Sequence, residues 1–264
     1  MPVVYACIAP HSGHLLLPAA APTPIPATRE AMRQIKADLQ AARPETLAVL
    51  TPHGIAIAGR ISLGATPLAS GELDGTTVTA ATDLELAALW AYRASEKGIP
   101  VAPLSSRDPQ EPFPLDWGVV IPIALSAPGM EPPLSLIVAC PDRALSNTQL
   151  MDWGEALAVA ADELGTRVAL IVSADQGHGH AADGPYGFTP VSAQYDADMR
   201  AAVEAGDLPR LLSWPEGYAD DALADSFWQT LSLIGVQKRV PLRGRFLSYE
   251  VDHYFGLLCA SYTL

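Results

Sequence analysis

Apolar runs of strand length alternate along this chain with segments of helical periodicity, and that alternation is what most narrows the fold. "VVYACIA" (3–9), "TLAVLTP" (46–52), "GVVIPIAL" (118–125), "LSLIVAC" (134–140) and "RVALIVSAD" (167–175) are near-continuous in apolar residues. A strand that is apolar on both faces is buried on both faces. Between these runs the period changes. Residues 28–43 put Met32, Ile35, Leu39 and Ala42 on one stripe. "TDLE" (82–85) opens a helix that runs to Gly98, and residues 147–164 read as a helix stopped by Gly165. Helical patterns fill 190–236, and "RFLSYEVDHYFGLLCASY" (245–262) reads as one or two closing strands. The expectation is an α/β protein with a central, mostly buried β-sheet flanked by helices on both faces. No composition shift or repeat divides the chain, so residues 1–264 are expected to form a single domain. The proline-rich stretch 18–27 reads as a loop.

Charge and composition exclude several classes of function. A net charge of −13 argues against a nucleic-acid partner, which requires clustered Lys and Arg. No apolar run is long enough to span a bilayer, and the N-terminus lacks the basic start of a signal peptide. Cys7, Cys140 and Cys259 lie in apolar runs without metal-type spacing, and read as reduced core residues of a cytoplasmic protein.

The chemistry-bearing residues collect where strands finish, which is where open α/β sheets gather ligands. All six histidines fall in four such places: "IAPHSGH" (8–14), "VLTPHG" (49–54), "IVSADQGHGH" (171–180) and "LSYEVDH" (247–253). Proline–histidine after an apolar run occurs twice, at His11 and His53. It stops the strand abruptly and aims the imidazole off the sheet edge. Two such histidines with one carboxylate are the donor inventory of a facial triad on non-haem Fe(II); imidazole and carboxylate also suit Zn²⁺ or Mn²⁺. His14, His180 and His253 each have a better-placed neighbour, and Glu250 also fits an ordinary exposed position in an alternating strand.

Together "APHSG", "TPHG", "SADQGH", "DGPYGFTP" and "FLSYEVDHYFG" resemble, in that order, the class III extradiol ring-cleavage dioxygenases, the LigB-type catalytic subunit family, whose superfamily includes the Memo-like proteins. The resemblance implies a single α/β domain and Fe(II) held by His11, His53 and Glu250. It also implies an acid/base histidine in the "SADQGH" segment, at His178, with His180 as the other candidate in "GHGH". The implied reaction is O₂-dependent opening of a catechol- or aminophenol-like ring, with His14, His180 and Tyr186 beside the substrate; Tyr186 fits a turn-packing role equally well. One position departs from the family pattern. Where ring-cleaving members carry Asp-His-Gly, this chain has Asp116-Trp117-Gly118. Trp117 cannot shuttle a proton, and either stacks on an aromatic ring or fills the pocket. Two other readings use the same cleft: a Zn-dependent hydrolase with the same ligands, and a Memo-like metal-binding protein without ring cleavage. The expected partners are a small aromatic substrate and O₂, with a homo-oligomer or a small partner subunit as further expectations.

Overall fold

The computed structural model describes residues 2–18, 21–108, 110–130 and 133–264. Its elements, in chain order, are β1 (Val3–Ala9), α1 (Pro26–Ala42), β2 (Thr46–Leu50), β3 (Ile61–Gly64), β4 (Leu68–Leu73), β5 (Thr76–Ala81), α2 (Leu84–Glu96), β6 (Val101–Leu104) and β7 (Phe113–Pro114). They continue with α3 (Trp117–Ser126), β8 (Ser135–Pro141), α4 (Asn147–Leu164), β9 (Val168–Ser173), α5 (Pro190–Glu204), α6 (Tyr218–Asp221), α7 (Phe227–Gln237), β10 (Arg243–Asp252) and β11 (Phe255–Thr263). Two residues of the proline-rich stretch, 19 and 20, lie outside the described residues.

Eight strands form one mixed sheet in the order β10-β11-β1-β9-β2-β8-β3-β6. Its centre, β1-β9-β2-β8, is parallel. Strands β1, β2 and β9 are buried along their whole length, as their unbroken apolar sequences require. Two apolar cores flank the sheet: one takes side chains from α2, α4, α5 and α7, the other from α1 and α3. No helix among the described residues is long and apolar enough to cross a membrane.

The segment 118–125, expected as a strand, is instead the helix α3. The physical reason is its surroundings. Gly118 to Ile123 are all buried, because α3 packs against α1 on one side and β4 and β5 on another. A helix buried all round shows no amphipathic period, so an eight-residue apolar run cannot announce which state it takes. Strands β4, β5 and β7 form a second, three-stranded sheet in a region where the sequence offers no strong alternation.

Helices α4 and α7 approach until their backbones touch. A Cβ on Gly154 would lie 1.8 Å from the Ser232 carbonyl oxygen, and one on Gly235 would lie 1.8 Å from that of Met151. These two glycines set the height of α7 against α4, and the turn leading into α7 carries a residue of the site described below. Gly235→Ala is expected to destabilise the fold by about 1–3 kcal/mol or more through overpacking, measured by denaturant unfolding. A stability equal to wild type would show that the crossing relaxes freely.

A candidate metal centre at the parallel strand ends

Parallel pairing of β1, β9 and β2 puts their C-terminal ends side by side at one sheet edge. His11 follows β1, Asp175 follows β9, and His53 follows β2. Long-range pairing, not local sequence, therefore brings these side chains together.

His11 is buried and held at two points. Its backbone N–H donates to Asp175 Oδ1 at 3.0 Å, and its ring Nδ1 lies 3.0 Å from Ser173 Oγ. That leaves Nε2 facing inward, 3.0 Å from His53 Nε2. The two rings meet edge to face. His53 is oriented by the Thr51 hydroxyl, which accepts its backbone N–H and itself donates to Asp116 Oδ1 at 2.8 Å. The outer face of His53 is covered by Trp117, the first residue of α3, with ring centroids 4.3 Å apart.

The carboxylate that joins the two histidines is Asp225, immediately before the turn into α7. Its Oδ1 accepts the Asp175 backbone N–H at 2.8 Å. Its Oδ2 lies 3.3 Å from His53 Nε2 and 3.5 Å from His11 Nε2, and, buried, makes no well-formed hydrogen bond among the described residues. The His11, His53 and Asp225 donor atoms all lie within 4.8 Å of one another. A buried anionic oxygen without a well-formed hydrogen bond, facing two imidazole nitrogens, is the electrostatic demand that a divalent cation meets. The residues present thus fit a metal ion. They would offer it two imidazole nitrogens, once His11 gives up its proton, and one carboxylate oxygen.

The buried carboxylates set the charge of the group, and a metal on His11 would have to displace the proton they hold there. Burial alone would lower the His11 pKa, but Asp175 and Asp225 outweigh it and push it up to about 9. Asp225, despite burial that opposes ionisation, is held well below the usual carboxylate range by His11, His53 and His178. Asp175 is raised, by burial first.

Glu250 is elsewhere, which corrects the expectation that it would be the third ligand. It caps α1: its carboxylate accepts the Ala27 and Thr28 backbone N–H groups at 3.2 and 2.7 Å, and the Thr28 hydroxyl at 2.7 Å. Helix α1 starts after Ile25, which has no side-chain acceptor, so its first N–H groups need a carboxylate from another element. Nothing local marked Asp225. An aspartate at a helix start reads as an N-cap, and "ALADSFW" has no neighbouring histidine.

The remaining candidates divide. His178 faces the group, with Nε2 3.9 Å from Asp225 Oδ2. Its Nδ1 is buried without a partner, and its ring stacks on Phe255. Tyr186 and Tyr254 lie 6.0 and 6.1 Å from it. His180 turns the other way, to Asp196 Oδ2 at 2.8 Å. Asp196 also accepts the Tyr249 hydroxyl and the Gly177 backbone N–H, so His180 belongs to a network that holds the loop. His14 pairs with Asp252, and His253 with Asp183 on the surface.

Against known families, residues 5–252 match the model described as the catalytic LigB subunit of aromatic ring-opening dioxygenase. The chain belongs to this LigB family. It is 23% identical over 232 residues to the protein named CA_C1420 from Clostridium acetobutylicum, an alignment covering 84% of this chain and 49% of the relative. The chain therefore spans about half the length of that relative. Among solved structures, the fold is similar to that of an uncharacterized protein, JW3007, from Escherichia coli K12. The TM-score is 0.66 at 14% identity, covering 98% of this chain and 99% of that one.

Proposed function

We propose that this chain is a non-haem Fe(II)-dependent extradiol dioxygenase that opens a catechol- or aminophenol-like ring. The observation that carries the reading is the convergence of His11, His53 and the buried Asp225 Oδ2, with His178 across from them, in a chain of the LigB family. Bound Fe(II) would supply coordination for the adjacent substrate oxygens and a path for electrons between ring and O₂.

The protein's own residues do the rest. Ser173 holds the His11 ring and Thr51 the backbone of His53, which limits the reorganisation needed on binding. Trp117 on one side and Tyr186, Tyr254 and Phe255 around His178 offer flat walls to a planar ring. His178 is the acid/base group: its Nε2 faces Asp225 and takes a proton from a substrate hydroxyl. His180, committed to Asp196, holds the loop that presents it. The substrate is a small aromatic with O₂ as co-substrate, and a small partner subunit or a second copy of the chain belongs to the same proposal.

The test is anaerobic reconstitution with Fe(II), followed by oxygen uptake and ring-opened product absorbance across a panel of catechols and aminophenols. Uptake with stoichiometric product supports the reading. Full iron occupancy with no uptake on any member would overturn it, in favour of metal binding without ring cleavage. Within the same assay, Trp117→His uncovers the outer face of His53 and sets a polar ring at the cleft wall. Cleavage of simple catechols is expected to rise. An unchanged or lower rate would mean that Trp117 serves the substrate as a stacking surface.

A further inference from the structure

Three consecutive residues at the start of α3 close on the groups that hold the two histidines. Asp116 takes the N-cap position of α3, yet its side chain makes no hydrogen bond to that helix. An N-cap aspartate ordinarily accepts from the first turn of its own helix. Here its Oδ1 accepts the Thr51 hydroxyl instead, at 2.8 Å. Trp117 stacks on the His53 ring. Gly118 is buried and lies against two hydroxyls. A Cβ there would lie 2.7 Å from Thr51 Oγ1, 2.9 Å from Asp116 Oδ1 and 3.3 Å from Ser173 Oγ.

Those two hydroxyls are the ones that hold the histidines. Thr51 Oγ1 accepts the His53 backbone N–H at 3.2 Å, and Ser173 Oγ lies 3.0 Å from His11 Nδ1. Thr51 and Ser173 are both fully buried, so neither hydroxyl has solvent to turn into. Thr51 has one hydroxyl proton, and Asp116 accepts it. The lone pairs of the same oxygen are then left for the His53 N–H. At the other histidine, a Ser173 oxygen that accepts the Nδ1 proton leaves Nε2 as the nitrogen facing His53 and Asp225. His11 and His53 follow different strands, and α3 touches the holders of both.

We propose that Asp116 and Gly118 are positioning residues of the metal centre: through them α3 seats on the Thr51 and Ser173 hydroxyls and sets the placement of the His53 and His11 rings. This rests on the metal reading of His11, His53 and Asp225. Asp116 orients the Thr51 hydroxyl by taking its proton. Gly118 sets how near α3 comes, because a side chain there would press on Thr51, Asp116 and Ser173 together. The arrangement assigns a role to Asp116 and Gly118 that does not depend on the residue between them.

The experiment titrates metal-free protein with Co(II) against a competing chelator and records the visible absorption of bound Co(II), so no turnover is needed. Wild type is compared with Gly118→Ala, Asp116→Ala, Asp116→Asn and Ile123→Ala. Co(II) affinity is expected to fall about 10–100-fold in Gly118→Ala and Asp116→Ala, as it does when a ligand loses the group that orients it, with the absorption bands displaced. Asp116→Asn, whose amide oxygen still accepts the Thr51 proton, keeps wild-type affinity and bands. Ile123→Ala removes a buried side chain more than a turn further along the same helix. It lowers the melting temperature and leaves Co(II) binding unchanged. Wild-type affinity in Gly118→Ala or Asp116→Ala overturns the proposal. An equal loss in Ile123→Ala also overturns it, because α3 would then act through stability alone. Where Gly118→Ala does not fold, the contrast between Asp116→Ala and Asp116→Asn decides. A wild type that does not bind Co(II) overturns the metal centre itself and this role with it.

Discussion

Asp225→Ala loses most of its bound metal, whereas Glu250→Ala keeps it. The two carboxylates were equivalent by residue chemistry, and position separates them. Asp225 Oδ2 is buried, makes no well-formed hydrogen bond among the described residues and faces His11 and His53. Both Glu250 oxygens are already committed to the first turn of α1. Removing Asp225 takes the only charged donor out of the group of three. Removing Glu250 takes away a cap and a favourable charge at a helix N-terminus, which costs about 1 kcal/mol. That is a fall of roughly 2–4 °C in melting temperature for a chain of this size. Metal content after dialysis and thermal melts of both variants measure these outcomes. Metal retained in Asp225→Ala and lost in Glu250→Ala would return the assignment to Glu250.

His178→Ala keeps its metal and loses turnover by about 10²–10⁴-fold, the usual contribution of a positioned acid/base group. Its backbone N–H is tied to the Ala222 carbonyl, so the loop holds its course when the ring is removed. His180→Ala has a different signature. It deprives Asp196 of one of its three partners and loosens the 177–180 loop, so stability falls along with rate. Steady-state kinetics with a cleaved catechol, read beside a denaturant melt, separates the two. A His180→Ala variant of normal stability that alone loses turnover would exchange their roles.

Sequence alone determined the alternation of buried strands and amphipathic helices, because each buried run advertises itself by composition over a few residues. The helix 147–164 was legible to the residue, since Ser146 caps one end and Gly165, at φ 71°, the other. The apolar run in α3 was not. A segment buried on every side has no period to read, and the choice of helix belonged to α1, β4 and β5 packed around it. The same divide runs through the site. His11 and His53 were visible because proline–histidine ends a strand in a way the local chain dictates. Asp225 and Glu250 are both carboxylates beside ordinary elements. The tertiary structure decided between them: it set α7 against α4 through Gly154 and Gly235, with Asp225 just ahead of α7. It also turned Glu250 toward a helix whose own N-cap, Ile25, cannot accept a hydrogen bond. The physical reason is range: a strand end is specified by its neighbours in sequence, whereas the partner of a buried charge is specified by whichever donors the packed fold leaves unsatisfied.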